Sequence, residues 1–175
     1  MIEHETLAGD EQPGDHLVRE LLWIHGVLRA DLEIVRRLAD EILDGKEPVR
    51  IRAEIAQLQT RSPLWQLKVN CLYYCRFVHL HHTGEDVHLF PALRRSDPAL
   101  GPVVDKLEAD HRKVSHILDE VERAADDLLR ADTPAARQRL ITGLDELTEH
   151  LLAHLAYEET SITPALRSWD RWPYD

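Results

Sequence analysis

Apolar residues recur every three or four positions over four long stretches of the chain, a spacing that places them on one face of an α-helix. The stretches lie between Asp15 and Gly45, between Ser62 and Leu93, between Pro102 and Leu128, and between Thr133 and Ala165. Ser62-Pro63 and Thr133-Pro134 have the form of an N-cap followed by the first helical residue. The pattern therefore predicts four long amphipathic helices.

Four such helices joined by mostly short links favour an all-α fold, an antiparallel up-down-up-down four-helix bundle. Residues 46–61 carry three aliphatic residues at helical spacing and predict a short extra helix between the first two helices. The predicted division is a flexible N-terminal arm over residues 1–14, the bundle over residues 15–166, and an aromatic tail over residues 167–175. We expect the tail either to fold back over the end of the bundle or to cover a partner surface.

The composition fits a helical domain and narrows the possible partners. Hydrophobic residues make up 43% of the chain, and the formal net charge is −11. A surface this acidic repels phosphate backbones and anionic lipids, so neither nucleic acid nor a membrane is an expected partner. The N-terminus is acidic where a signal peptide would be basic, which predicts a cytoplasmic protein. Cys71 and Cys75 are expected to be reduced and buried.

Ionisable residues interrupt the apolar stripe of every predicted helix. They are His25 in the first helix, His81 and Glu85 in the second, His111 in the third, and His154 and Glu158 in the fourth. A carboxylate that faces an apolar core must be neutralised, paired or bound to a cation. A histidine and a glutamate four residues apart lie on the same helical face and can bind one centre. The six residues are therefore the predicted metal ligands.

The second and fourth helices also repeat each other. The segment from His81 to Leu93 aligns without a gap on the segment from His154 to Leu166, so that His81-x-x-x-Glu85 matches His154-x-x-x-Glu158. Two similar halves indicate a dinuclear site with pseudo-twofold symmetry. Four imidazoles and two carboxylates suit iron or manganese, leave zinc possible and disfavour calcium and magnesium. Several coordination positions would stay open for a small molecule.

Four further residues are candidates for positions around the ligands. Asp86 and Glu159 either orient the ligating imidazoles or face solvent. His82 is rotated about 100° from the stripe that contains His81, and it is expected to support the ligands more than to be one. Tyr74 lies two turns before His81 and is either a hydrogen-bond donor near the site or an aromatic residue of the core. No catalytic residue is identified among them.

The six ligand candidates resemble the pattern of the hemerythrin-like, HHE cation-binding domains: H, then H-x-x-x-E, then H, then H-x-x-x-E. The resemblance covers roughly residues 16 to 166. It implies a four-helix bundle around two iron ions that share an oxo or hydroxo bridge, with terminal histidines and bridging glutamates. Ser115 stands where respiratory hemerythrins carry a second histidine in the third helix. The set is more similar to family members implicated in peroxide decomposition, nitric oxide response or iron-centre repair.

The ligand candidates and the resemblance together leave three hypotheses of function. The first is a di-iron protein, catalase-like or reactive toward nitric oxide, that binds hydrogen peroxide, nitric oxide or oxygen. The second is a module that senses or stores oxygen, nitric oxide or iron without catalysis. The third is a metal-free helical interaction protein. The sequence leaves the oligomeric state open.

Overall fold

The computed structural model describes residues 12–44 and 63–173. The helices are α1 (Asp15–Leu43), α2 (Pro63–Gly84), α3 (Phe90–Ser96), α4 (Gly101–Arg130) and α5 (Pro134–Arg167). A π-helical turn, Glu85–Leu89, joins α2 to α3, and a 3-10 turn, Pro98–Leu100, precedes α4. No strand occurs within the described ranges, so the predicted all-helical class is confirmed. The extra helix predicted over residues 46–61 lies outside them.

Helix boundaries follow the local signals in the sequence. The Thr133 side chain accepts a hydrogen bond from the Ala136 N–H at 3.2 Å, which caps α5. The second predicted helix is longer than expected, since the chain stays helical to Ser96. Pro91 has no N–H to donate within a continuous α-helix. The π-helical turn places Pro91 in the first turn of α3, where a missing N–H costs little.

A layer of polar side chains separates two apolar clusters in the interior. The larger cluster is built from α1, α2, α4 and α5, and the smaller one includes Phe90 and Leu93 from α3. On α1, His25 lies between Leu21 of the smaller cluster and Leu28 of the larger one. On α4, His111 lies between Leu107 and Val114 in the same way. The candidate site is therefore enclosed by apolar packing above and below.

Side-chain contacts between neighbouring helices run in opposite order along the chain. Between α1 and α5, Asp15 pairs with Arg167, and Arg36 pairs with Asp145. These contacts are consistent with the up-down-up-down order, which stays a prediction. None of the helices in the described ranges is both long enough and apolar enough to cross a membrane.

The residues that follow α5 fold back onto the bundle. Trp169 and Trp172 pack against the smaller apolar cluster. The indole N–H of Trp172 donates a hydrogen bond to Glu20 Oε2 on α1 at 2.6 Å. This is the first of the two arrangements expected for the aromatic tail, and it places Trp172 beside the groove described below.

We predict that Gly14→Ala destabilises the protein, because Gly14 lies against the end of α5. Its N–H donates to Arg167 O at 3.1 Å, and a Cβ atom at this position would lie 1.8 Å from Leu166 O. We expect a loss of about 1–3 kcal/mol in the free energy of unfolding, measured by urea denaturation. The control is Gly26→Ala, because a Cβ on Gly26 has no atom within 4 Å. It should stabilise the helix by about 0.5–1 kcal/mol. Equal stability of the two variants would contradict this packing.

Candidate metal centre

The polar layer gathers side chains from five parts of the fold. His25 comes from α1, His81 and His82 from the last turn of α2, Glu85 from the start of the π-helical turn, His111 from α4, and His154 and Glu158 from α5. All are buried except His81, whose side chain is 10% exposed. The structure thus brings together all six predicted ligand residues and adds His82.

The seven side chains form two overlapping groups that could each hold a metal ion. Group 1 contains His25, His81, Glu85 and Glu158, and group 2 contains His82, Glu85, His111 and His154. Within each group the potential ligand atoms lie within 4.8 Å of one another. Glu85 belongs to both groups, so its carboxylate connects them.

The two glutamates each lie between histidines of different groups. Glu85 Oε1 is 3.2 Å from His81 Nε2, and Glu85 Oε2 is 3.4 Å from His111 Nε2. Glu158 Oε2 is 3.5 Å from His25 Nε2 and 3.6 Å from His154 Nε2. Both carboxylates therefore lie among nitrogen atoms from both groups.

Two of the histidines are held from outside the cluster by carboxylates. His25 Nδ1 lies 2.9 Å from Glu159 Oε1, and His111 Nδ1 lies 2.7 Å from Asp86 Oδ1. A neutral imidazole that donates its Nδ1 proton outward presents the Nε2 lone pair inward, as a metal ligand must. Asp86 and Glu159 were expected either to orient imidazoles or to face solvent, and these two contacts show that they orient imidazoles.

The two orienting carboxylates differ in their electrostatic surroundings. Burial alone would raise the pKa of Glu159, but the hydrogen bonds from Arg29 and His25 outweigh it and hold that pKa below its usual value. Arg29 Nη1 donates to Glu159 Oε1 at 2.7 Å. Burial and the nearby Glu108 raise the pKa of Asp86 to about 6. The Asp86 carboxyl therefore exchanges protons much closer to neutral pH than Glu159 does.

The histidines of the cluster are neutral near pH 7. Burial, followed by repulsion from the other histidines, lowers the pKa of His81 to about 3 and that of His111 to about 2. Burial also lowers the pKa of His154 to about 4. Neutral imidazoles are the form that binds metals.

Burial favours the proton-bound form of both buried carboxyls when no cation neutralises them. Burial, with repulsion from Glu158, raises the pKa of Glu85 well above its usual value. Burial likewise raises the pKa of Glu158 to about 8. A cation that displaces these protons would stabilise both carboxylates.

Several polar atoms in this layer have no hydrogen-bond partner within the described part of the chain. They are Nε2 of His25, His81 and His82, Nδ1 of His154, and both carboxyl oxygens of Glu85 and Glu158. In addition, His111 Nε2 and His154 Nε2 lie 3.1 Å apart. Unsatisfied buried groups each cost about 1–3 kcal/mol, a cost that bonds to metal ions would remove. The donor set, rich in nitrogen and without thiolate, fits a transition-metal cation.

His82 lies within the cluster, beside the predicted ligands, and its part as a ligand or as a support for the ligands stays a prediction. Its ring stacks on the His111 ring with centroids 3.9 Å apart, and its side chain is buried. The physical reason is that Glu85 is four residues after His81 and three after His82, so both imidazoles flank the carboxylate. A signal for this position was present in the sequence, because His82 continues a helical spacing of three and four residues. The positions with this spacing are all buried: Val78, His82, Glu85 and Leu89.

Tyr74 belongs to the apolar core, and its hydroxyl donates to the backbone and not to a residue of the polar layer. It packs in the larger apolar cluster, and its hydroxyl donates to the Leu28 carbonyl at 3.1 Å. Cys71 and Cys75 are free and buried, as expected, and burial raises the pKa of the Cys71 thiol to about 12.

We predict that metal binding releases protons. Below pH 8 a cation must displace the proton of Glu158, and the raised pKa of Glu85 acts in the same direction. The histidines have lowered pKa values and are already neutral near pH 7. Affinity for Zn²⁺ should therefore rise up to about tenfold per pH unit, for each proton released, between pH 6 and 8. Titration in dilute buffer at pH 6.5 should detect the released protons, and fewer for Glu158→Gln. Proton release that is absent, or unchanged in the variant, would contradict the pKa direction.

The comparisons with known proteins agree with this geometry at the level of the family. No curated protein and no solved structure matches the chain. The sequence model described as the hemerythrin HHE cation binding domain matches residues 16–166, a range that contains every residue of both groups. The buried histidine and glutamate cluster fits the metal site of such a domain. The chain belongs to the hemerythrin HHE cation-binding domain family.

Proposed function

We propose that this protein binds two iron ions, one in each group, and that it reacts there with a small oxidant: hydrogen peroxide, nitric oxide or oxygen. The observation that carries the proposal is the sharing of the buried Glu85 carboxylate by two nitrogen-rich groups. Each group offers four ligand residues. Because octahedral iron takes six ligands, each ion would keep about two positions for other molecules. Iron, when bound, supplies the redox chemistry.

A polar pocket of about 250 Å³ supports access of a small polar oxidant to group 2. It is lined by His79, His82, Thr83, Asp86, His111, Arg112 and Ser115. Two of these residues, His82 and His111, belong to the cluster itself. Ser115 and Thr83 have small side chains, so a molecule the size of hydrogen peroxide has room to approach the ligands from solvent.

Asp86 is placed to exchange protons at this pocket. Its Oδ1 accepts the hydrogen bond of His111 Nδ1, while its side chain remains 43% exposed. With a pKa raised to about 6, the carboxyl group can take up and return a proton near neutral pH. Asp86 therefore connects solvent to a ligand candidate of group 2.

We predict that Glu85→Gln lowers the iron content by two ions per chain, because both groups lose a ligand. His25→Ala and His111→Ala should each lower it by about one, because each removes a ligand from a single group. The melting temperature should fall in the same order, since a metal bound only by the folded state adds to stability. His116→Ala is the control, because His116 is 62% exposed and outside both groups. Elemental analysis after one loading protocol measures the content. Two ions per chain in Glu85→Gln would contradict the bridging role.

We predict that the iron-loaded protein converts hydrogen peroxide to oxygen and water, or consumes nitric oxide. An oxygen electrode and a nitric oxide electrode measure the two activities. Inactivity in both assays, with two irons bound per chain, would contradict the reaction. A reversible spectral change at stoichiometric ligand with no product would instead support the sensing alternative.

A further inference from the structure

A second opening, distinct from the polar pocket, reaches group 1 between α1 and α2. This groove has a volume of about 610 Å³, and His81 and Glu85 are among the residues that line it. At the rim, Trp23 and Leu80 are 70% and 68% exposed, whereas Leu89 deeper in the groove is 2% exposed. The groove thus runs from an exposed apolar rim to buried ligand candidates.

The charges of the groove disfavour anions, and its apolar walls disfavour any charged molecule. None of its lining residues within the described ranges is a lysine or an arginine. Glu20, which also lines the groove, is fixed by the hydrogen bond from the Trp172 indole. A fixed carboxylate on a chain of net charge −11 repels anions, and the apolar walls penalise desolvation of any charged molecule.

We propose that this groove binds an uncharged, apolar organic molecule of one or two rings, with any polar end group directed toward His81 and Glu85. The volume lies in the range of small-molecule sites, which combine apolar walls with a few polar groups. Hydrogen peroxide, nitric oxide and oxygen fill only a small part of such a volume. The inference goes beyond the proposed function, because binding in the groove needs no reaction.

Gly84 provides a way to fill the groove without disturbing the fold. It lines the groove, and its backbone is helical, with φ −61° and ψ −41°. A Cβ atom on Gly84 would have no atom within 4 Å, so a leucine side chain would extend into open space. Gly26 is the matched control, since it is also helical, is equally free of neighbours and does not line the groove.

The experiment compares two fluorescent probes that share one aromatic framework. N-phenyl-1-naphthylamine is uncharged, and 8-anilino-1-naphthalenesulfonate carries a negative charge. Each is titrated into the full chain, zinc-loaded so that bound metal does not quench the fluorescence. We expect the uncharged probe to bind one per chain, at least tenfold more tightly than the sulfonate. Gly84→Leu should weaken its binding at least tenfold, and Gly26→Leu should leave it unchanged.

Three results would overturn the proposal: no binding of the uncharged probe, sulfonate binding of equal strength, or equal binding by Gly84→Leu and the unaltered chain. Circular dichroism and zinc content check that Gly84→Leu keeps its fold and its metal. If Gly84→Leu loses probe binding but keeps its zinc, the probe binds in the groove. Because the assay needs no iron chemistry, a failure of the proposed reaction would leave this result standing, and the two can be told apart.

Discussion

The interior of this protein depends on two carboxylates that have no place in an apolar bundle. Glu85 and Glu158 are buried between two apolar clusters, and neither has a hydrogen-bond partner for its oxygens within the described residues. Burial of these two groups is tolerable only if protons or cations neutralise their negative charges. The histidines supply lone pairs at the same depth. Cation binding at the polar layer would therefore add to the free energy that stabilises the fold.

Each copy of the sequence repeat contributes one hydrogen bond to a histidine of another helix. Asp86 follows Glu85 and holds His111 of α4, while Glu159 follows Glu158 and holds His25 of α1. In each half, the glutamate faces the cluster and the next carboxylate orients a histidine of another helix. A change in the position of one helix would thus disturb ligands that another helix carries.

Sequence periodicity was sufficient for the all-helical class and for the grouping of the six ligand candidates, because both follow from helical phase. It did not predict that His82 is buried within the cluster, since its position was measured as an angle from His81 alone. The partners of Asp86 and Glu159 could not be read from the chain, because they depend on how helices pack. The π-helical turn at Glu85–Leu89 was also missed, since Pro91 signals a helix end and not a widened turn.

That π-helical turn breaks the symmetry of the repeat. Phe90 and Thr163 occupy equivalent positions in the two halves, yet Phe90 is fully buried and stacks on the His111 ring, with centroids 5.0 Å apart, whereas Thr163 is only half-buried. One extra residue in a helical turn shifts the phase of everything after it. The two groups consequently have unlike surroundings: the Phe90 ring covers His111 of group 2, whereas the groove between α1 and α2 opens to His81 of group 1. Two ions held there would be chemically inequivalent for a second reason as well, since group 1 offers two histidines and two glutamates, whereas group 2 offers three histidines and one glutamate.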